Sequence, residues 1–139
     1  MAELELQDGS ATGAGEGDSG ARPRVLHVLP SLSLGGAVRV VLDLIGGIAE
    51  QGRYEQRLCV LNDSGNFFGE YELPPTEFLD FSGAWRNPLE LRRVSGRVCR
   101  LIEEFRPDVL HTHLWTADVI GASAASRTGT CHLVHVHDT

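Results

Sequence analysis

Four histidines close two apolar segments of the sequence, and their type and spacing could do chemistry. His111 and His113 lie in DVLHTHLW, and His135 and His137 end HLVHVH, directly before Asp138. If each segment is a β-strand, its two histidines share one face, because side chains alternate along a strand. Imidazole changes charge near neutral pH and also ligates metal ions. The pairs therefore indicate either a proton-handling or substrate-orienting site or a metal site.

The metal site is the less favoured of these two alternatives. Asp138 is the one carboxylate that adjoins the histidines in sequence. Strand alternation is also expected to set His111 and His135 one layer deeper than His113 and His137. The sequence therefore predicts no metal ligands and no cofactor.

A second candidate site lies where LPSLSLGGAVRVV, residues 29–41, joins an apolar segment to a helical one. Gly35 and Gly36 would let backbone N–H groups approach a ligand, and a helix N-terminus favours phosphate. The alternative interpretation is a tight turn that needs positive φ. The segment is neither G-x-G-x-x-G nor a P-loop, because a P-loop needs a lysine and this sequence contains none.

The composition is that of one small domain that does not bind nucleic acid. The chain has 139 residues, 42% of them hydrophobic and 22% charged, and its formal net charge is -7, whereas nucleic-acid-binding proteins usually carry a basic face. The three cysteines, Cys59, Cys99 and Cys131, lie far apart in apolar stretches, so we expect buried free thiols in a reducing compartment. We find no membrane-spanning apolar run and no signal peptide, and the expected location is cytoplasmic.

The order of segments along the chain predicts the fold. Residues 1–22 are rich in Gly, Ser, Ala and acidic residues, and we predict a disordered tail. From residue 23 onwards, strands are predicted for RVLHVL, EQRLCVL, TEFLDF, DVLHTHLW and HLVHVH, with helices between them. Residues 23–139 are therefore predicted to form an α/β, Rossmann-like, doubly wound parallel sheet in the order 3-2-1-4-5. Such sheets bind ligands where the order reverses, beyond the carboxyl ends of strands one and four.

The predicted helices have recognisable ends. AVRVVLDLIGGIAEQG is apolar almost all round, so we expect it to pack on most sides, with its two internal glycines allowing close approach to the sheet. The next helix begins at Asn87 and Pro88, with Glu90 placed to complete a capping box, and it ends at Pro107. His27, inside RVLHVL, is interpreted as a residue of the fold.

Three segments together resemble the N-terminal domain of the GT-B glycosyltransferases, and in particular the large retaining family 4 that uses nucleotide sugars. They are RVLHVLPSLSLGGAVRVVLDL, RPDVLHTHLWTADVIG and HLVHVHDT. Members of that family commonly read as a strand, then G-G-A-x-R-V and a buried helix, later R-P-D-V-[LIV]-H-x-H, and last a strand closing in H-G or H-D. The resemblance covers residues 24–139.

The resemblance implies roles for five residues. Gly35 and Gly36 match the loop that meets the donor diphosphate. Arg39 matches the arginine of G-G-A-x-R, which lies beside that polyanion or on the helix surface. His113 matches the histidine that closes the fourth strand at the cleft, and His137 matches the histidine beside the transferred sugar and the acceptor. His113 and His137 are therefore the implied catalytic residues.

The resemblance also implies the partners. Trp115 and Asp138 are expected on the acceptor side, because the N-terminal domain of this family shapes the acceptor pocket. The partners would be a nucleoside-diphosphate sugar and a sugar, lipid or small-molecule acceptor, and peripheral contact with the inner face of a membrane is compatible with this interpretation. The family's second Rossmann-like domain, with its E-x7-E motif, is not in this sequence. We therefore expect a fragment that lacks its donor-binding domain and is inactive by itself.

Two other functions stay open at this point. One is a non-catalytic Rossmann-like binding module, and the other is a metal-dependent hydrolase that uses the H-x-H pairs. Stoichiometric zinc or manganese in the purified protein would favour the hydrolase.

Overall fold

The computed structural model describes residues 21–33, 35–62, 71–84 and 86–136. Strands and helices alternate along most of this part of the chain. The elements are β1 (Arg24–Leu29), α1 (Gly36–Gln51), β2 (Glu55–Val60), β3 (Thr76–Phe78), α2 (Pro88–Phe105), β4 (Val109–His113), α3 (Trp115–Thr128) and β5 (His132–His135).

The five strands form one parallel sheet in the order β3-β2-β1-β4-β5. This confirms the predicted Rossmann-like α/β fold and its strand order. The order reverses between β1 and β4, where His27 pairs with His111. At the far side of β4, His113 pairs with His135. The sheet register therefore sets two histidine pairs side by side, one across β1 and β4 and one across β4 and β5.

Helices cover both faces of the sheet. Helix α1 packs on one face over β1 and β2, and the buried apolar side chains there are Leu29, Leu32, Val38, Val41, Leu42, Ile45, Leu58 and Val60. Helices α2 and α3 pack on the other face, where the larger core cluster includes Leu26, Val28, Leu110, Val98, Ile102, Phe105, Ile120 and Ala124. The sheet is doubly wound, as predicted.

Helix α1 is packed on one face, and the prediction that it packs on most sides was wrong. Its buried side chains are those at helical spacing from Val38 to Ile45, whereas Val40 is 52% exposed. The expectation that Gly46 and Gly47 allow close packing was also wrong, because a Cβ atom built at either position would meet no atom of the described residues within 4 Å. Among the apolar side chains that made the helix look buried all round, Val40 and Ala49 are exposed, and Leu44 and Ile48 are only half-buried.

Helix α2 begins as predicted, with one difference. The Asn87 side chain accepts hydrogen bonds from the backbone N–H groups of Leu89 and Glu90, and a proline occupies the first turn. Glu90 does not complete a capping box. Its carboxylate accepts a hydrogen bond from the Ser82 N–H and pairs with Arg93, because the preceding loop and the next turn present closer donors.

The opposite face shows one close helix–strand contact. A Cβ atom at Gly121 of α3 would collide with the Thr112 Cγ2 atom of β4. Thr112 is itself fully buried, and its hydroxyl donates to the Asp118 carboxylate and contacts His132 Nε2 at 2.8 Å. Glycine at position 121 therefore lets α3 approach the sheet.

The cysteines divide into two buried thiols and one exposed thiol. Cys59 and Cys99 are buried free cysteines, as predicted, and burial raises the pKa of the Cys59 thiol to about 12. Cys131 is exposed, so the prediction that all three thiols are buried was wrong. It directly precedes the edge strand β5, whose outer side no described strand covers.

Two further predictions concern the N-terminal tail and membrane-spanning helices. Almost all of the predicted tail, residues 1–22, lies outside the described residues. None of the helices in the described part of the chain combines the length and apolar character needed to cross a membrane.

Candidate functional site

Four imidazole rings gather at one face of the sheet, next to the point where the strand order reverses. His27 lies in β1, His111 and His113 in β4, and His135 at the end of β5. Paired residues of a parallel ladder share a face, and so do residues two apart on a strand, so the register itself brings these rings together. The His111 and His113 ring centroids are 4.1 Å apart, and the other close ring pairs lie between 5.3 and 5.7 Å.

The cluster differs from the prediction in depth. His113 pairs with His135, so those two form one layer. His111 pairs with His27 in the next layer, further from the carboxyl edge of the sheet. The predicted layering of His111 with His135 was wrong, because β5 is shifted by two residues relative to that expectation. His113 is fully buried rather than open to the crevice, since its ring packs against the other imidazoles.

His27 is the member of the cluster that sequence reasoning missed. Its Nε2 lies 2.8 Å from the Gln56 Oε1 atom, and the Gln56 Nε2 donates to the Ile45 carbonyl of α1. Because the amide nitrogen is committed to that carbonyl, Gln56 presents its oxygen to His27, and His27 must carry its proton on Nε2. The Nδ1 atom of the neutral ring then has a lone pair, and it lies 3.4 Å from His113 Nε2.

Burial keeps His27 neutral. Desolvation lowers the pKa of its imidazole to about 4, and the hydrogen bond with Gln56 only partly opposes this effect. A buried imidazole without a carboxylate partner is costly to charge. At neutral pH the inner part of the cluster is therefore built around an uncharged ring.

The N-terminus of α1 lies at the carboxyl edge of the same sheet. Gly35 is the N-cap residue, with extended φ and ψ of -177° and 155°, and it makes no side-chain cap. The first turn carries no acidic residue. The preceding loop is closed by a hydrogen bond between the Ser31 and Ser33 hydroxyls, 2.8 Å apart. The first backbone N–H groups of α1 thus point toward the edge without a capping side chain.

The glycines at this edge are not needed for an unusual backbone. Neither Gly35 nor Gly36 has a positive φ, so the tight-turn interpretation is not supported. A Cβ atom at either position would meet none of the described atoms within 4 Å. The fold as described would therefore accept a larger residue, and the space above the two glycines is open.

Other predicted residues lie near this edge, and some lie outside the described part. Arg39 is exposed on the first turn of α1, and Trp115 opens α3 with 67% of its surface exposed. His137 and Asp138 lie outside the described residues, so their positions are not part of this geometry.

The junction between β4 and α3 carries backbone strain. Leu114 has φ 75° and ψ 153°, a combination that is found almost only for glycine and that costs on the order of 1–3 kcal/mol. It separates His113, which faces the core, from Trp115, which faces solvent. Strained residues of this kind cluster at functional sites. A leucine has no sequence signal for positive φ, so this feature could not be predicted.

A concave surface near the start of α2 is a further candidate that sequence reasoning did not name. It has a volume of about 680 Å³ and is lined by Gly83, Ala84, Arg86, Asn87 and Pro88. The Asn87–Pro88 helix start was predicted, but a helix start alone does not indicate a pocket.

The chain is similar to known proteins both in sequence and in fold. The family model of the glycosyl transferase 4-like domain matches residues 35–139. Among solved structures, MurG of Acinetobacter baumannii is similar, with a TM-score of 0.60 and 15% sequence identity; the match covers 82% of this chain and 35% of that chain. At this identity the similarity shows a shared fold, and the chain spans 35% of the length of MurG. The search of curated proteins found no match.

Proposed function

The chain belongs to the glycosyl transferase 4-like family, and from that premise we propose that it is the acceptor-side part of a retaining glycosyltransferase. The proposed reaction transfers a hexose from a nucleoside diphosphate to an acceptor hydroxyl. The donor diphosphate would lie at the N-terminus of α1, and the acceptor would lie beside the carboxyl ends of β4 and β5.

The observation that carries the proposal is the difference between two helix starts at the same edge of the sheet. Helix α2 satisfies its first N–H groups with the Asn87 side chain and places Glu90 in its first turn. Helix α1 begins at Gly35 without a side-chain cap and without an acid in its first turn. Free N–H groups and the positive end of the helix dipole make such a start a site for an anion.

The chemistry assigned to this edge is stabilisation of the leaving diphosphate. Amide groups that already point at the site stabilise developing negative charge without having to reorient. Arg39, exposed on the first turn of α1, is the cation placed to support that charge. No resident cofactor is required for this step, because the nucleotide sugar is itself a substrate.

The sugar and the acceptor are assigned to the other side of the reversal point. We assign His137 to the transferred sugar and Asp138 to the acceptor side, following the family resemblance. His113 is kept as a proposed catalytic residue. Because its side chain is buried, it would act from beneath the site and not from its surface. Trp115, exposed at the start of α3, offers an aromatic surface of the kind that stacks on sugar rings.

The proposal includes two partners beyond this chain. The first is a second Rossmann-like domain that holds the nucleotide and the sugar. The second is the cytoplasmic face of a membrane, touched peripherally. Leu89 and Trp115 support membrane contact, since both are strongly exposed and open helices that start at the same edge. Arg92 and Arg127 line a groove between these helices and would suit anionic lipid.

The experiment that tests the function uses the full-length protein with a panel of nucleotide sugars and acceptors. Transfer is detected by mass spectrometry of the product, and NMR of the new glycosidic bond reports whether configuration is retained. His137→Ala is expected to lower kcat by about 10²-fold, the scale of losing a positioned catalytic group. Val136→Ala, the neighbouring exposed position, is the matched control and should leave kcat unchanged.

The other outcomes separate the alternative functions. Donor binding without transfer would make the protein a binding module and contradict the proposal. Full turnover by the His137→Ala variant at saturating substrates would remove His137 from the chemistry while leaving the transfer reaction in place.

A further inference from the structure

The inner three histidines have the chemistry of a metal site. His27, His111 and His113 each offer a ring nitrogen, and these nitrogens all lie within 4.8 Å of one another. All three residues are buried, with at most 9% of any side chain exposed. Neutral imidazole is a preferred ligand of zinc and related transition metals.

The spacing of two of the nitrogens suits a metal ion better than a hydrogen bond. His27 Nδ1 and His113 Nε2 are 3.4 Å apart. Nitrogen-donor hydrogen bonds are usually about 2.7–3.2 Å long. At a tetrahedral zinc with Zn–N bonds of about 2.0–2.1 Å, two ligand nitrogens lie roughly 3.3–3.4 Å apart. The observed separation therefore matches one edge of a tetrahedral zinc site.

The surroundings orient His27 as a ligand. Gln56 is fixed by its hydrogen bond to the Ile45 carbonyl, and it accepts the Nε2 proton of His27. This leaves the Nδ1 lone pair directed toward His113. Hydrogen bonding of the ring nitrogen that does not bind the metal is the usual outer-shell arrangement at histidine metal sites.

We propose that His27, His111 and His113 bind one Zn²⁺ ion that ties β1 to β4. Binding requires the lone pair of His113 Nε2, so the neutral ring carries its proton on Nδ1 in the bound state and no net proton is lost. Tetrahedral coordination needs a fourth ligand, and His135 would have to turn its ring toward the ion to supply it, since that ring lies 5.3 Å from His113 and 5.7 Å from His111. The burial of the three ligands makes this a structural site. It shares His113 with the proposed transfer chemistry, and the ion would hold that ring in place beneath the sugar site.

The test measures metal binding by the full-length protein, produced without an affinity tag. After removal of metal with a chelator, we expect equilibrium dialysis to return one Zn²⁺ per chain, and Zn²⁺ to raise the melting temperature. Co²⁺ serves as a spectroscopic probe, since four-coordinate Co²⁺ absorbs visible light much more strongly than six-coordinate Co²⁺. The expected result is the strong, four-coordinate spectrum.

Variants assign the binding to this cluster. His111→Asn should abolish stoichiometric binding, and Gln56→Leu should weaken it by about 10–100-fold through loss of the outer-shell bond. His132→Asn is the control, because His132 lies on the opposite face of the sheet, with Thr112 and Asp118. The His132→Asn protein should therefore bind Zn²⁺ as the wild type does. If His111→Asn does not fold, the Co²⁺ spectrum of the wild type and the Gln56→Leu affinity decide the question.

Three results would overturn the proposal. They are failure of the wild-type protein to bind Zn²⁺, a six-coordinate Co²⁺ spectrum, and equal binding by the wild-type protein and the folded His111→Asn or Gln56→Leu variant. None of them measures sugar transfer. Although His113 belongs to both proposals, the transfer assay decides the proposed function separately.

Discussion

The chemical reactivity of each cysteine depends on whether the fold buries or exposes its thiol. Cys59 is fully buried in β2, and its thiol pKa is raised to about 12, mainly by desolvation. Cys131 is exposed at the start of the edge strand. Since the thiolate is the reactive form and must be reached by a reagent, the two residues should differ greatly in reactivity.

We predict that a thiol reagent such as 5,5′-dithiobis(2-nitrobenzoate) modifies Cys131 rapidly in the folded protein. Cys59 and Cys99 should react only after denaturant is added, because both are buried. Peptide mapping by mass spectrometry locates each modified residue, and Cys131→Ser should remove the rapid phase. Rapid modification of Cys59 in the native protein would show that the core around β2 is open.

His132 should make folding stability depend on pH. Burial lowers the pKa of its imidazole, and Asp118 only partly offsets that effect. The unfolded chain therefore takes up this proton at a higher pH than the folded chain does. The resulting contribution to stability is present above about pH 6.5 and is lost as the pH falls through the lowered, folded-state pKa.

The measurement is the free energy of unfolding of the wild type and of His132→Asn between pH 7.5 and pH 5, by urea denaturation. The wild type should lose more stability over this range than the variant. Equal losses would mean that His132 titrates alike in the folded and unfolded chains.

At the scale of the helix and the strand, glycine shows how packing overrides propensity. Gly96 in α2 and Gly121 in α3 both lie inside helices, where alanine is intrinsically preferred. Within the part of the chain that the structure describes, a Cβ atom at Gly96 would meet nothing within 4 Å, whereas one at Gly121 would collide with Thr112. The same substitution should therefore have opposite effects at the two positions.

We predict that Gly96→Ala raises the free energy of unfolding by about 0.5–1 kcal/mol, the propensity difference alone. Gly121→Ala should lower it by about 1–3 kcal/mol, because α3 must move away from β4. Thermal and urea denaturation of the two variants, measured together, check both signs. A stabilising Gly121→Ala would mean that α3 does not pack on β4 as described.

The elements were predictable from the sequence to a large extent, because each has a local signal. The alternation of apolar strands with helices predicted the sheet and its order, and Asn87 with Pro88 predicted the start of α2. The packing of α1 was not predictable. Its sequence is apolar on several sides, and only the position of the sheet decides that Val38 is buried while Val40 is exposed.

At the scale of the whole molecule, the histidine site is formed by residues of three strands that are far apart in the sequence. The pair His111 and His113 was found from its spacing, because two residues of one strand carry a local pattern. The link from His27 to His113 depends on the register of β1 against β4, which pairs residues 84 positions apart. A buried polar residue in one apolar strand has no local signal for such a partner, and neither does the strained Leu114.

In the proposed enzyme, the open start of α1 receives the donor diphosphate. Gly36 and Gly47 provide a matched test within one helix. Both are exposed, and at both a Cβ atom would meet nothing within 4 Å of the described structure. Valine should therefore be tolerated by the fold at either position, at the small cost of a β-branched residue in a helix.

The decisive measurement is the affinity of the full-length protein for its nucleotide-sugar donor, by isothermal titration calorimetry, in the wild type, Gly36→Val and Gly47→Val. We predict that Gly36→Val raises the donor Kd by at least roughly tenfold, with a melting temperature close to that of Gly47→Val, whose Kd stays at the wild-type value. Wild-type donor affinity in a folded Gly36→Val protein would contradict the claim, because the diphosphate could not then lie against the backbone at the start of α1.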